Sequence, residues 1–186
     1  MKIYSLDESI NTGQSVLKHL SETYIYRNDI NSGTLSTYYS GLALMVGFPT
    51  DLEHLTMPTI ALTLIDSPPA EFYAYGGRSE KFFPYRLDIF AGGETTNGLI
   101  DEHKNTFMRD RMLNDVKNLL EENMGETYVK LYNFADIISS GTAYDTGVDF
   151  MVSDVSGSAL EPTGETEADK YRAIVDFTAS LIYSQD

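Results

Sequence analysis

The sequence predicts an α+β fold in which a single mixed, mainly antiparallel sheet packs against two helices. Apolar and polar residues alternate in several runs, the longest of which covers residues 171–183, and such alternation is typical of half-buried strands. Two longer segments carry apolar residues at helical spacing. The links between the runs are short and rich in Gly, Pro and polar residues, which favours antiparallel hairpins.

Composition sets limits on the class of protein. With 186 residues, 42% of them hydrophobic, the chain suits one domain over residues 1–186 with a sizeable core. The net charge of −15 gives it no electrostatic reason to bind nucleic acid, which requires clustered Lys and Arg. We expect no disulfide and no thiolate metal site because the chain has no cysteine. We also expect no membrane span, since no apolar run approaches about 20 residues.

The first helix is predicted over residues 6–23, where leucines and other apolar residues recur at helical spacing. Ser5 and Glu8 have the spacing of a capping box, in which each side chain would satisfy a free backbone N–H at the helix start. Gly13 is the weak point of this helix, because glycine loses more conformational freedom than other residues on becoming helical.

The second helix is predicted to begin after Asn97 as N-cap and to end near Gly125. Its apolar stripe consists of Met108, Met112, Leu113, Val116, Leu119 and Leu120. Leu99, Ile100 and Phe107 do not fit the stripe and face roughly the opposite way. Either the helix breaks near Phe107, or its first turns bury a second face, which could be a contact with another subunit.

Strands are predicted over residues 59–65, 72–75, 83–89, 128–134, 148–152 and 171–183. Residues 42–48 could be a short strand or a buried extended segment, because periodicity cannot decide at that length. Residues 27–48 as a whole are predicted to be an irregular insertion. Residues 153–169, rich in Ser, Gly and acids, are predicted to form a mobile acidic loop.

The chain shows no pattern typical of an enzyme. His19, His54 and His103 are too far apart in sequence for the paired spacing of a metal site on one element. The Walker A, GxGxxG and GxSxG signatures do not occur. The two Gly-Gly pairs that follow strands suit hairpin turns better than a phosphate loop. We therefore predict no catalytic residue, no cofactor and no metal.

Aromatic and apolar residues without an obvious partner in the chain point instead to a protein interface. Tyrosine, which occurs 13 times, is enriched in such interfaces. The candidate subunit interface comprises an aromatic hairpin and the misfit residues of the second helix: Phe72, Tyr73, Tyr75, Phe82, Phe83, Leu99, Ile100 and Phe107. The late acidic loop is a further candidate.

The order of these elements, with a few strand phrases, resembles a known family. The phrases are Met-Pro-Thr-Ile-Ala at 57–61, an aromatic strand ending in Gly-Gly at 76–77, Tyr-Arg-Leu-Asp-Ile-Phe-Ala at 85–91, Leu-Tyr-Asn-Phe at 131–134 and Tyr-Arg-Ala-Ile-Val-Asp-Phe-Thr at 171–178. Over residues 6–183 the chain resembles the tail terminator and tail-completion proteins of long-tailed bacteriophages and their neck-protein relatives.

The resemblance implies a compact domain in which a tail-terminator-like sheet packs against helices. It implies a virion structural protein that forms a hexameric ring, ends the tail tube and joins it to the head connector. The partners would be further copies of the chain, the tail tube protein and the head–tail connector protein. DNA would pass through the lumen without specific binding, and the ring would be assembled in the host cytoplasm. The long segment 27–48 and the late loop depart from a minimal member.

Two other functions remain open from the sequence. The chain could be a head–tail adaptor or stopper protein of the neck, which the sequence does not separate from a tail terminator. It could also be a small soluble enzyme or ligand-binding domain, which would need polar groups converging on a pocket.

Overall fold

The computed structural model describes residues 5–27, 31–65, 70–74, 78–122, 125–134, 143–162 and 166–184. Four helices occur in this part of the chain: α1 Ser5–Glu22, α2 Leu35–Tyr38, α3 Glu102–Leu120 and α4 Glu167–Lys170. The strands are β1 Ile25–Arg27, β2 Asn31–Gly33, β3 Ala43–Val46, β4 Thr59–Leu64, β5 Ala70–Ala74, β6 Arg78–Phe90, β7 Thr95–Thr96, β8 Leu99–Ile100, β9 Thr127–Phe134, β10 Ala143–Ala159 and β11 Arg172–Ser184. The fold class is therefore α+β, as predicted, but with four helices instead of two.

One mixed sheet forms the body of the protein. Six of its strands follow in the order β3-β4-β6-β11-β10-β9, and β5 pairs with the part of β6 that β4 does not reach. The pairing of β3 with β4 is parallel and every other pairing is antiparallel. The prediction of a mixed, mainly antiparallel sheet is confirmed.

The core lies on one face of this sheet. Alternate residues of β6 and β11 point into it, because successive side chains of a strand face opposite sides. Both strands have 13 residues and pair along their whole length, from Arg172 opposite Phe90 to Ser184 opposite Arg78. The residues of these two strands that are fully or almost fully buried on the core face are Phe83, Tyr85, Leu87, Ile89, Ala173, Val175, Phe177, Ala179 and Leu181.

The two long helices cover this face, and Gly13 sets how closely α1 approaches it. A β-carbon at Gly13 would lie 2.8 Å from Cδ2 of Leu62 and 3.3 Å from Cε1 of Tyr85. The Tyr85 hydroxyl donates a hydrogen bond to the carbonyl of Ser9, and burial raises the pKa of Tyr85. The glycine that weakens the helix in the sequence is thus the residue that lets the helix pack against β4 and β6.

Helix α1 also seals one border of the sheet. The backbone N–H of Tyr132 donates to Oγ of Ser15 at 2.9 Å, and that of Phe134 donates to Oδ1 of Asn11 at 3.1 Å. Both donors belong to β9, which is the last strand on that side. Ser15 and Asn11 are buried on the face of α1 that packs against the sheet. Polar side chains are found there because they accept hydrogen bonds from the outward backbone N–H groups of β9.

The second face of the sheet carries two ion pairs between β6 and β11. Arg172 contacts Asp88 with N–O distances of 2.6 and 3.0 Å, and Asp88 is almost completely buried. The guanidinium of Arg172 also lies 5.0 Å from the ring centre of Phe48 and 5.6 Å from that of Phe90. The other pair, Arg86 with Asp176, is more exposed.

Several predicted boundaries differ from the structure. The supposed irregular insertion contains β2, α2 and β3, so the open question about residues 42–48 resolves to a strand. The prediction that residues 153–169 form a loop is wrong for Ser153–Ala159, which belongs to β10 and pairs with β11, and for the end of the segment, where α4 begins at Glu167. One carboxylate oxygen of Glu8 accepts a hydrogen bond from Nζ of Lys81 at 2.8 Å, and because the side chain of Ser5 lies outside the described part, the capping box stays a prediction.

Candidate subunit interface

A short hairpin precedes α3 and carries two of the predicted interface residues. Strands β7 and β8 pair Thr96 with Leu99, and Asn97 and Gly98 form the turn with φ values of 54° and 78°. Two positive φ values in an Asn-Gly pair are typical of a type I′ turn, the tightest hairpin connection. Asn97 is therefore the turn of a hairpin, and the prediction that it caps the helix is wrong.

The helix begins instead at Asp101. Its carboxylate accepts the backbone N–H of Lys104 at 3.0 Å and the Thr96 hydroxyl at 2.7 Å, so one side chain caps α3 and holds the hairpin. The bond from Thr96, followed by that from the Lys104 backbone N–H, lowers the pKa of Asp101 below its usual value. The carboxylate therefore stays ionised at neutral pH, which suits the positive end of the helix dipole.

Asn105 fixes the hairpin from the buried side. It is completely buried, its amide nitrogen donates to the carbonyl of Glu94 at 3.2 Å, and its oxygen accepts the backbone N–H of Glu94 at 3.0 Å. The backbone N–H of Asp101 also donates to the Glu94 carbonyl at 3.0 Å. The hairpin is therefore held to α3 at both ends.

The apolar side chains of this unit face solvent. Leu99 is 75% exposed, Ile100 52% and Phe107, one turn into α3, 66%. The part of the chain that the structure describes has no other nine-residue stretch with three exposed large apolar side chains. Such a cluster of exposed large apolar side chains makes this stretch a candidate for a surface that another molecule covers.

A shallow groove adjoins Phe107. It has a volume of about 210 Å³ and lies between α3 and the turn after α2. Its lining combines aromatic, sulfur-containing and charged side chains: Tyr38, Tyr39, Glu94, Lys104, Phe107, Met108 and Arg111. The Arg111 guanidinium lies 5.9 Å from the centre of the Phe107 ring. Buried Tyr39 donates its hydroxyl to Asp115 of α3, which ties the turn to the helix.

The aromatic hairpin, which the sequence also predicted as part of the interface, is only partly available at the surface. Phe83 is completely buried in the core of its own chain, so its side chain is not available for contact with another subunit. Phe82 is half-buried on β6. Phe72 and Tyr73 belong to β5, and Tyr75 lies outside the described residues. The structure exposes Leu99, Ile100 and Phe107 but buries Phe83.

The sequence prediction placed Asp101 only as an acid at the positive end of the helix dipole, and it missed that Asp101 and Asn105 hold the hairpin. The available signal was the Asn-Gly pair between Thr-Thr and Leu-Ile, which is a hairpin pattern, with Asp directly after it as a helix cap. This assignment removes the misfit in the second helix, because Leu99 and Ile100 are not helical. Phe107 remains on α3 with its side chain in solvent.

Two of the three histidines have contacts within the fold. The ring of His19 lies 3.1 Å from the carbonyl of Leu119 and 3.2 Å from the Thr23 hydroxyl, and His54 pairs with Asp51 on the surface. Among the residues that the structure describes, no three His, Cys, Asp or Glu side chains are grouped to hold a metal ion. None of the described helices has the length and apolar character needed to cross a bilayer.

Comparison with known proteins adds no assignment. No protein-family model and no curated protein matches this sequence.

Proposed function

We propose that this chain is a virion structural protein, a phage tail terminator whose copies form a ring that ends the tail tube and joins it to the head connector. The observation that carries the proposal is the exposed cluster of Leu99, Ile100 and Phe107 on a firmly held hairpin and helix start. The resemblance in element order and strand phrases supplies the type of assembly. A hexamer is the ring size that the resemblance implies.

The cluster suits a contact between copies on geometric grounds. Since the hairpin is held by Asp101 and Asn105, little conformational entropy would be lost when a neighbour covers it. A contact between this surface and a different surface of the next copy is heterologous, and heterologous contacts produce rings when the rotation closes. The groove beside Phe107 carries Lys104 and Arg111 together with Glu94, so groups of both signs are available for pairing with a neighbouring copy.

The experiment compares the oligomeric state and tube binding of the wild type with a Leu99→Ser/Ile100→Ser/Phe107→Ser variant. We expect the wild type to form a ring, alone or on purified tail tubes, and the variant to stay monomeric and leave the tubes unbound. Light scattering after size exclusion and negative-stain images provide the readout. Ile182→Ser, which changes a residue of similar exposure on β11, is the matched control.

Two results would contradict the proposal. A wild type that remains a monomer even with tail tubes present would remove the ring, and unchanged tube binding by the triple variant would remove this surface. Binding to the portal end of the neck without binding to the tube would favour a head–tail adaptor. Locating the chain in a particle map separates these two positions.

A further inference from the structure

We draw no further inference here: the strongest candidate, the outer edge of β3 beside the groove that it forms with α1, carries no proposal because nothing in the described part of the chain shows what covers it.

Discussion

Ser15 of α1 accepts the backbone N–H of Tyr132 at 2.9 Å, and this bond joins a helix near the start of the chain to a strand 117 residues later. Together with the bond from Phe134 to Asn11, it converts an open strand edge into a buried contact. Without these two side chains, α1 would bury the backbone N–H groups of Tyr132 and Phe134, and neither water nor another strand would accept their hydrogen bonds.

Removing the hydroxyl of Ser15 should destabilise the protein. Ser15→Ala leaves the N–H of Tyr132 buried without a partner, and we expect the free energy of unfolding to fall by about 1–2 kcal/mol. Urea titration followed by circular dichroism measures this change. Ser36→Ala, at an exposed position in α2, should stay within about 0.5 kcal/mol of the wild type. Equal effects at the two serines would show that the edge bond contributes nothing.

The two arginine–aspartate pairs between β6 and β11 should differ in their contribution to stability. Arg172→Ala removes the arginine that pairs with Asp88, whose side chain is only 2% exposed. We expect the free energy of unfolding to fall by about 3–5 kcal/mol, because a buried carboxylate loses its counter-charge. Arg86→Ala breaks a pair whose side chains are 39% and 33% exposed, so solvent screening should limit the loss to about 1 kcal/mol. Thermal and urea unfolding of both variants measure the two losses, and the two pairs join the same strands but differ in solvent exposure.

The double variant Asp88→Asn/Arg172→Met provides the control for this comparison. It removes both charges, and we expect it to recover a large part of the stability lost in Arg172→Ala. If Arg172→Ala and Arg86→Ala cost the same, burial of Asp88 does not determine the contribution of its pair.

Gly13→Ala should lower stability although alanine is the better helix former. In an open helix the change would stabilise by about 1 kcal/mol. Here the new methyl group would meet Leu62 in the core, and we expect a net loss of about 1–2 kcal/mol. Gly13→Ala combined with Leu62→Val should lose less than the two changes made separately, which a double-mutant cycle measures. A stabilised Gly13→Ala variant would contradict the close approach of α1.

Asp101 should make the hairpin sensitive to acid. Because the folded pKa lies below the usual 3.8, the contribution of this carboxylate is complete above 3.8 and is lost as pH falls through the folded pKa. Hydrogen exchange at the Lys104 amide should accelerate over that range in the wild type and show no such step in Asp101→Asn. Thr96→Val should raise the Asp101 midpoint, because it removes the largest cause of the shift. An NMR midpoint at or above 3.8 would contradict this electrostatic account.

Periodicity predicted the elements whose two faces differ in environment. Strands β4, β6, β9 and β11, as well as both long helices, lie close to where the sequence places them. It failed for the second half of β10, where Ser153–Ala159 is rich in Ser and Gly and largely solvent-facing, so side chains reveal little of the strand. There the backbone ladder to β11 holds the segment, with a register shift between Ser153 and Ser156.

The candidate site was predictable in part. Sequence spacing singled out Leu99, Ile100 and Phe107 as a misfit, and the structure exposes all three. The spacing could not show that Phe83 lies in the core, since alternation identifies the two faces of a strand but not which of them is covered. The contacts of Ser15 and Asn11 join residues more than 100 positions apart, and local patterns carry no information about such pairs.

The central position of β11 has a consequence for biosynthesis. This strand, at residues 172–184, lies between β6 and β10 and completes the pairing of both. A ribosome therefore makes about nine-tenths of the described chain before the strand that joins the two halves of the sheet exists. Until then β6 and β10 present unpaired edges, so chains interrupted late in translation should be the ones that chaperones retain and proteases remove.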